Sequence, residues 1–189
     1  MLKNFFVIQA PPLSFTKRDI YTPFSSFSSM GQFIKAISDT FFLSNKFRFD
    51  NFLYFCTEYK QRSYVITFDG EKMRYLGPSL FSAAHLLLRV QAHIDNPNTK
   101  KGKLTPGLSV YQESFDLILE KHSKDNWIQF IPANVSDITN LELSSKNIFI
   151  YGIANLLKIT DIKKVYCGKL DIDEQVILTN YVLDQGEYN

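Results

Sequence analysis

Ile148-Phe149-Ile150-Tyr151-Gly152 and Lys164-Val165-Tyr166-Cys167-Gly168 are short apolar runs that each close on a glycine. A run of this length without polar alternation reads as a strand covered on both faces, the signature of a parallel sheet. Glycine directly after such a strand lets the chain turn at positive φ and lets a ligand approach the main chain. Ligands of open α/β sheets bind outside the carboxyl ends of the strands, where both glycines fall. Asp171-Ile172-Asp173-Glu174 follows as a capping box, with Asp171 as N-cap of the last helix and Glu174 three residues on.

Upstream, alternating elements extend the same pattern. Residues 5–9 read as a first strand, ended by Pro11-Pro12, since proline cannot continue a central ladder. Met30, Phe33, Ile34, Ile37 and Phe41 have helical spacing and predict a helix to about residue 43, capped by Ser28 or Ser29. Residues 52–57 are a second strand. Asp69-Gly70, between residues 64–68 and 71–75, predicts a two-residue hairpin. A helix over 79–93 buries Leu80, Ala84, Leu87 and Leu88, and residues 95–106 read as a polar loop. Residues 108–111 form a strand, Phe115, Ile118 and Leu119 mark a helix, and residues 127–131 form a further strand closed by Pro132. From residue 108 onward this is the order of right-handed βαβ units, so the expectation is one α/β domain, a largely parallel sheet with helices on both faces.

Composition narrows the classes. At 189 residues, with 45% hydrophobic and 21% charged, the chain can bury a full core. A net charge of +2 gives no global field for nucleic acid, so RNA affinity would have to come from local patches: Lys46, Arg48, Arg62, Arg74 and the lysines at 100, 101 and 103. Cys56 and Cys167 lie in apolar runs, which fits buried thiols in a reducing cytoplasm. No window predicts a membrane span or a signal peptide. His85, His93 and His122 lack metal-ligand spacing, so no metal is expected. There is no Gly-x-Gly-x-x-Gly after a strand, no Walker sequence and no Gly-x-Ser-x-Gly elbow.

Ser38-Asp39-Thr40-Phe41-Phe42-Leu43-Ser44-Asn45-Lys46-Phe47-Arg48-Phe49-Asp50, then Phe68-Asp69-Gly70, Leu76-Gly77-Pro78 and Thr105-Pro106-Gly107-Leu108-Ser109-Val110, occur in the order seen in one family. With the closing strand, glycine loop and helix ending Val182-Leu183-Asp184, the chain resembles the archaeal tRNA pseudouridine N1-methyltransferases of the SPOUT superfamily over most of its length. The resemblance implies a C-terminal trefoil knot, a homodimer and S-adenosylmethionine held by backbone groups of three loops. On this chain those loops fall at Ile131 and Pro132, at Tyr151, Gly152 and Ile153, and at Tyr166, Cys167 and Gly168, with Ile172 nearby. It also implies tRNA or another RNA as partner, with Arg48 holding the RNA, Arg74 and Lys46 behind it, and Asp50 as proton acceptor or orienting acid.

Several polar positions depart from the family pattern. Where the family reads Arg-Arg-Asp the chain has Arg48-Phe49-Asp50, and a loop that resembles Leu-Gly-Asp-His there is Tyr151-Gly152-Ile153-Ala154 here. Apolar scaffold positions persist while polar ones change. Beside the methyltransferase reading this motivates a second one, a non-catalytic dimer of the same fold that binds RNA or protein.

Overall fold

In a computed structural model, residues 4–20, 30–43, 46–96, 102–131, 143–144, 146–152, 162–166 and 168–186 are described. The sheet is built around β1 (Asn4–Gln9), which pairs in parallel with β4 (Asn51–Tyr59) on one side and β9 (Asn147–Gly152) on the other. Beyond β9 lie β8 (Asn126–Ile131) and β10 (Ile162–Tyr166), also parallel. Beyond β4 the sheet turns antiparallel through β5 (Arg62–Asp69), β7 (Leu108–Tyr111) and β6 (Gly102–Thr105). The order is therefore β10-β8-β9-β1-β4-β5-β7-β6, a parallel half fused to a meander. A short ribbon of β2 (Phe42–Leu43) and β3 (Lys46–Phe47) stands apart from it.

The two faces are covered unequally. One carries α1 (Lys17–Ile20), α2 (Gly31–Phe41), α3 (Leu80–Asp95) and α5 (Ile172–Gly186), whose apolar residues join Phe6, Ile8, Leu53, Phe55, Phe149 and Tyr151 in the larger core. The other carries α4 (Phe115–Lys121), whose Ile118 and Leu119 pack with Val7, Tyr54, Cys56, Trp127, Ile148 and Ile150. Alternate residues of β1 thus serve opposite cores, which explains why Phe6, Val7 and Ile8 are all fully buried. Each such side chain contributes about 2 kcal/mol of burial.

The α2 stripe forms as its spacing predicts, with Ile34, Ile37 and Phe41 fully buried. The helix ends at Phe41 because Phe42 turns extended into β2. Its N-cap is Met30, which makes no side-chain cap bond; Ser28 and Ser29 lie outside the described residues. Ser79 does cap α3, its hydroxyl accepting from the Ser82 N–H at 3.3 Å. At α5 the Glu174 carboxylate accepts from the Asp171 N–H at 2.8 Å, the return half of a capping box.

Two sequence expectations are overturned. Asp69-Gly70 is not a hairpin turn: β5 ends there and residues 71–75 form no strand. Gly70 is required for close approach instead, since a Cβ there would lie 2.6 Å from the Arg48 carbonyl oxygen and 2.7 Å from that of Asn51. The two-residue hairpin is Lys60-Gln61, joining β4 to β5 with φ of 49° and 60°. Second, the polar stretch 95–106 contains β6, which pairs with β7 as an edge strand. Its Lys103 suits an edge, where charge discourages pairing with other chains. The path of residues 132–142 and 153–161, on which the expected knot depends, lies outside the described residues.

Candidate functional site

After β1 the chain returns to the parallel half as β4 on one side, while after β9 it returns as β10 on the other. Adjacent strands whose connections leave in opposite directions open a crevice at their carboxyl ends. At β1 and β9 that crevice is a cavity of about 740 Å³. This size lies within the range of small-molecule sites.

Its floor is backbone. Gln9 and Gly152 are register partners at the ends of β1 and β9, and both line the cavity. Gly152 has φ +92°, and a Cβ there would lie 2.5 Å from the Gln9 carbonyl oxygen. A side chain at this position is excluded twice, by conformation and by space. The walls are Phe33 of α2, Phe115 of α4, Ala10 and Pro11 after β1, and Ile172 of α5. Glu58, Glu113 and Asp171 add three carboxylates, and Gln9 and Gln32 two amides. The wall is thus apolar with a negative rim, suited to a ligand with a flat apolar part and a cationic part.

Cys56 also lines the cavity, but burial pushes its thiol up to about 12. It stays protonated at neutral pH and is no nucleophile.

Of the residues singled out in the sequence, Gly152 and Ile172 line the cavity. Gly168, at φ +70°, precedes by two residues the Leu170–Ile172 wall without being part of the described lining. Tyr151 belongs to the core beneath: it is 1% exposed, stacks on Phe6 and Phe130, and donates its hydroxyl proton to Thr179 at 2.7 Å. Ile131 and Tyr166 are register partners at the ends of β8 and β10, on the same side of the sheet as the cavity. Pro132, Ile153 and Cys167 lie outside the described residues.

Lys46, Arg48, Asp50 and Arg74 are not brought to the cavity. Lys46, Arg48 and Asp50 precede β4 and Arg74 follows β5, so all four lie at the opposite edge of the sheet, roughly 20 Å away along β4. There Arg48 is ion-paired with Asp184 of α5, with 12% of its side chain exposed. Asp50 accepts from the Asn4 amide at 3.3 Å. Asn51 donates to the Thr40 carbonyl at 2.6 Å and to Asn180 at 3.1 Å, and Asn180 donates to the Asp39 carbonyl at 2.8 Å. In this fold the 38–50 stretch works as a clasp: its polar residues fasten α5 to α2 and to the start of β4. Lys46 and Arg74 are exposed on that edge, as are the rings of Phe49 and Tyr75.

Sequence reasoning missed Glu58, Glu113 and Gln9 as lining residues. Single acids and amides at strand and loop ends carry no spacing signal; only the topology gathers them. Among the described residues no three or more His, Cys, Asp or Glu side chains are placed to hold a metal ion, and no helix is long and apolar enough to cross a membrane. No protein-family model matches the chain, and no curated protein matches it in sequence.

Proposed function

We propose that the protein is an S-adenosylmethionine-dependent RNA methyltransferase whose cofactor site is the cavity at the ends of β1 and β9. The observation that carries this reading is the cavity's build: a bare backbone floor at Gly152, apolar walls, and a rim of Glu58, Glu113 and Asp171. The backbone groups at Gly152 and Gln9 would meet the polar edge of an adenine, with Phe33, Phe115 and Ile172 against its faces. The carboxylates would face the cationic end. When bound, this cofactor supplies a methyl group on a positively charged sulfur. The chain's part is to line up an acceptor nitrogen and exclude water, and proximity of this kind supplies much of a rate without a dedicated base.

The RNA contact in this reading is the opposite edge, where Lys46 and Arg74 stand with exposed Phe49 and Tyr75, cations for phosphates and rings for stacking. Arg48 and Asp50 have structural partners, so neither is assigned to chemistry. A homodimer, knotted through its C-terminal segment as the resemblance implies, would carry one protomer's basic edge to the other's cavity.

One observation favours a second reading. The acid expected to act in catalysis, Asp50, is held about 20 Å from the cavity, as a non-catalytic RNA- or protein-binding dimer would allow. Titration calorimetry with S-adenosylmethionine, followed by transfer of labelled methyl to unmodified tRNA, separates the two. The methyltransferase reading expects saturable micromolar binding that Ser63→Trp, at the exposed cavity mouth, abolishes. Absence of binding in the wild-type protein refutes it, and binding without transfer favours the second reading.

A further inference from the structure

On the α4 face a second groove of about 310 Å³, which shares Glu113 with the first cavity, runs between α4 and the strands β4, β5 and β7. Its walls are mostly apolar: Phe52, Val65, Tyr111, Leu117 and Ile118. Its other residues with polar groups are few: Tyr54, Thr67, Glu113 and Lys121.

Tyr54 is the inner end of a relay. Lys121 donates to its oxygen at 3.1 Å. Behind it His122, 3% exposed, stands with Nε2 3.0 Å from the same oxygen and Nδ1 2.7 Å from Asp125. Asp125 is also paired with Lys146 at 2.6 Å. With Nδ1–H donated to the carboxylate, a neutral His122 offers only the Nε2 lone pair, so it accepts a hydrogen bond from the Tyr54 hydroxyl. Burial, with help from the Lys146 and Lys121 charges and against Asp125, lowers the pKa of His122, which keeps it neutral at pH 7. The phenol oxygen thus accepts a hydrogen bond from an ammonium and donates one to an imidazole.

We propose that this groove is a second small-molecule site, for a flat apolar monocarboxylate whose head is received by Lys121 and the Tyr54 hydroxyl, and that filling it transfers His122 from acceptor to donor. One cation opposed by Glu113 suits a single negative charge and disfavours a dianion such as phosphate. Once the Tyr54 O–H turns to the ligand, His122 Nε2 is left without a donor. It takes one proton from solvent and donates to the phenol oxygen, and the resulting imidazolium lies between that oxygen and the Asp125 carboxylate. Among the described residues, the groups facing His122 are Tyr54 on β4, Lys121 on α4, Asp125 in the following turn, Lys146 before β9, and the Phe5 ring on β1.

The probe is benzoate, titrated calorimetrically into the full chain at pH 7 in phosphate and in Tris, whose different ionisation heats report proton uptake. Saturable binding with a Kd of about 100 µM is expected for a ligand of this size. Uptake should approach one proton per site. Lys121→Met, a change at an exposed position, should weaken binding about tenfold, and Lys121→Arg should retain it. Tyr54→Phe should abolish proton uptake. A titration without saturation, or an unchanged Kd in Lys121→Met, overturns the site. Binding without uptake, or uptake that persists in Tyr54→Phe, overturns the relay.

Discussion

Asp39 lies in the seam between α2 and α5, where Lys35 is ion-paired with Asp173 and one oxygen of Asp39 is buried with no hydrogen-bond partner among the described residues. Burial raises its carboxyl from 3.8 to about 6, with Asp173 adding to the rise and Lys35 opposing it. Folding therefore favours the protonated form. The stability this proton supplies is complete below about pH 4 and is lost as pH rises through 6. At neutral pH the ionised group opposes folding. Asp39→Asn should raise stability at pH 8 by about 1 kcal/mol, a figure discounted for its partial solvation, and the gain should vanish at pH 4. Urea unfolding at the two pH values checks this. Nothing in the sequence marks Asp39, because its state depends on a helix more than a hundred positions away.

Among the elements, those legible in the sequence are those whose pattern is local: the α2 stripe, the β1, β8 and β9 runs, the α3 helix and the Glu174 box. The β4–β5 hairpin was not legible because Lys60-Gln61 is a poor turn pair, held at positive φ by the ladder on either side. Asp69-Gly70 looks like the better turn, yet its glycine answers to the carbonyls of Arg48 and Asn51. Gln61→Gly, which leaves the Lys60–Asp95 pair in place, should relieve the left-handed backbone. Stability should rise by about 0.5–1 kcal/mol, seen as a Tm about 2 °C higher by calorimetry. The candidate cavity was half legible. The glycine at the end of β9 was readable as a ligand edge and Ile172, inside the capping box, came only from the resemblance, whereas Glu58 and Glu113 reach the cavity only through the order of the strands. The Tyr54–His122 relay had no signal, since its partners stand 68 positions apart.

At the scale of the whole molecule, the parallel half and the meander share β4, whose ladder with β5 runs from Phe52 to Tyr59. Both cores also draw on alternate residues of the same strands. Such sharing couples the halves, so equilibrium unfolding should be one transition. Trp127, the single tryptophan, is 1% exposed in the α4-side core and reports tertiary structure there. Its fluorescence and far-ultraviolet dichroism should trace coincident urea curves; a displaced dichroism curve would mean that the meander melts separately.

The place of β9 has a consequence for how the protein is made. Phe5 pairs with Ile148 and Val7 with Ile150, so the central strand of the sheet waits for residues translated long after it. Until they emerge from the ribosome, β1 in the nascent chain offers one bare edge of Phe, Val and Ile, the kind of surface that recruits other chains. Synthesis and completion of the sheet are thus separated in time, and β1 stays half-paired in between.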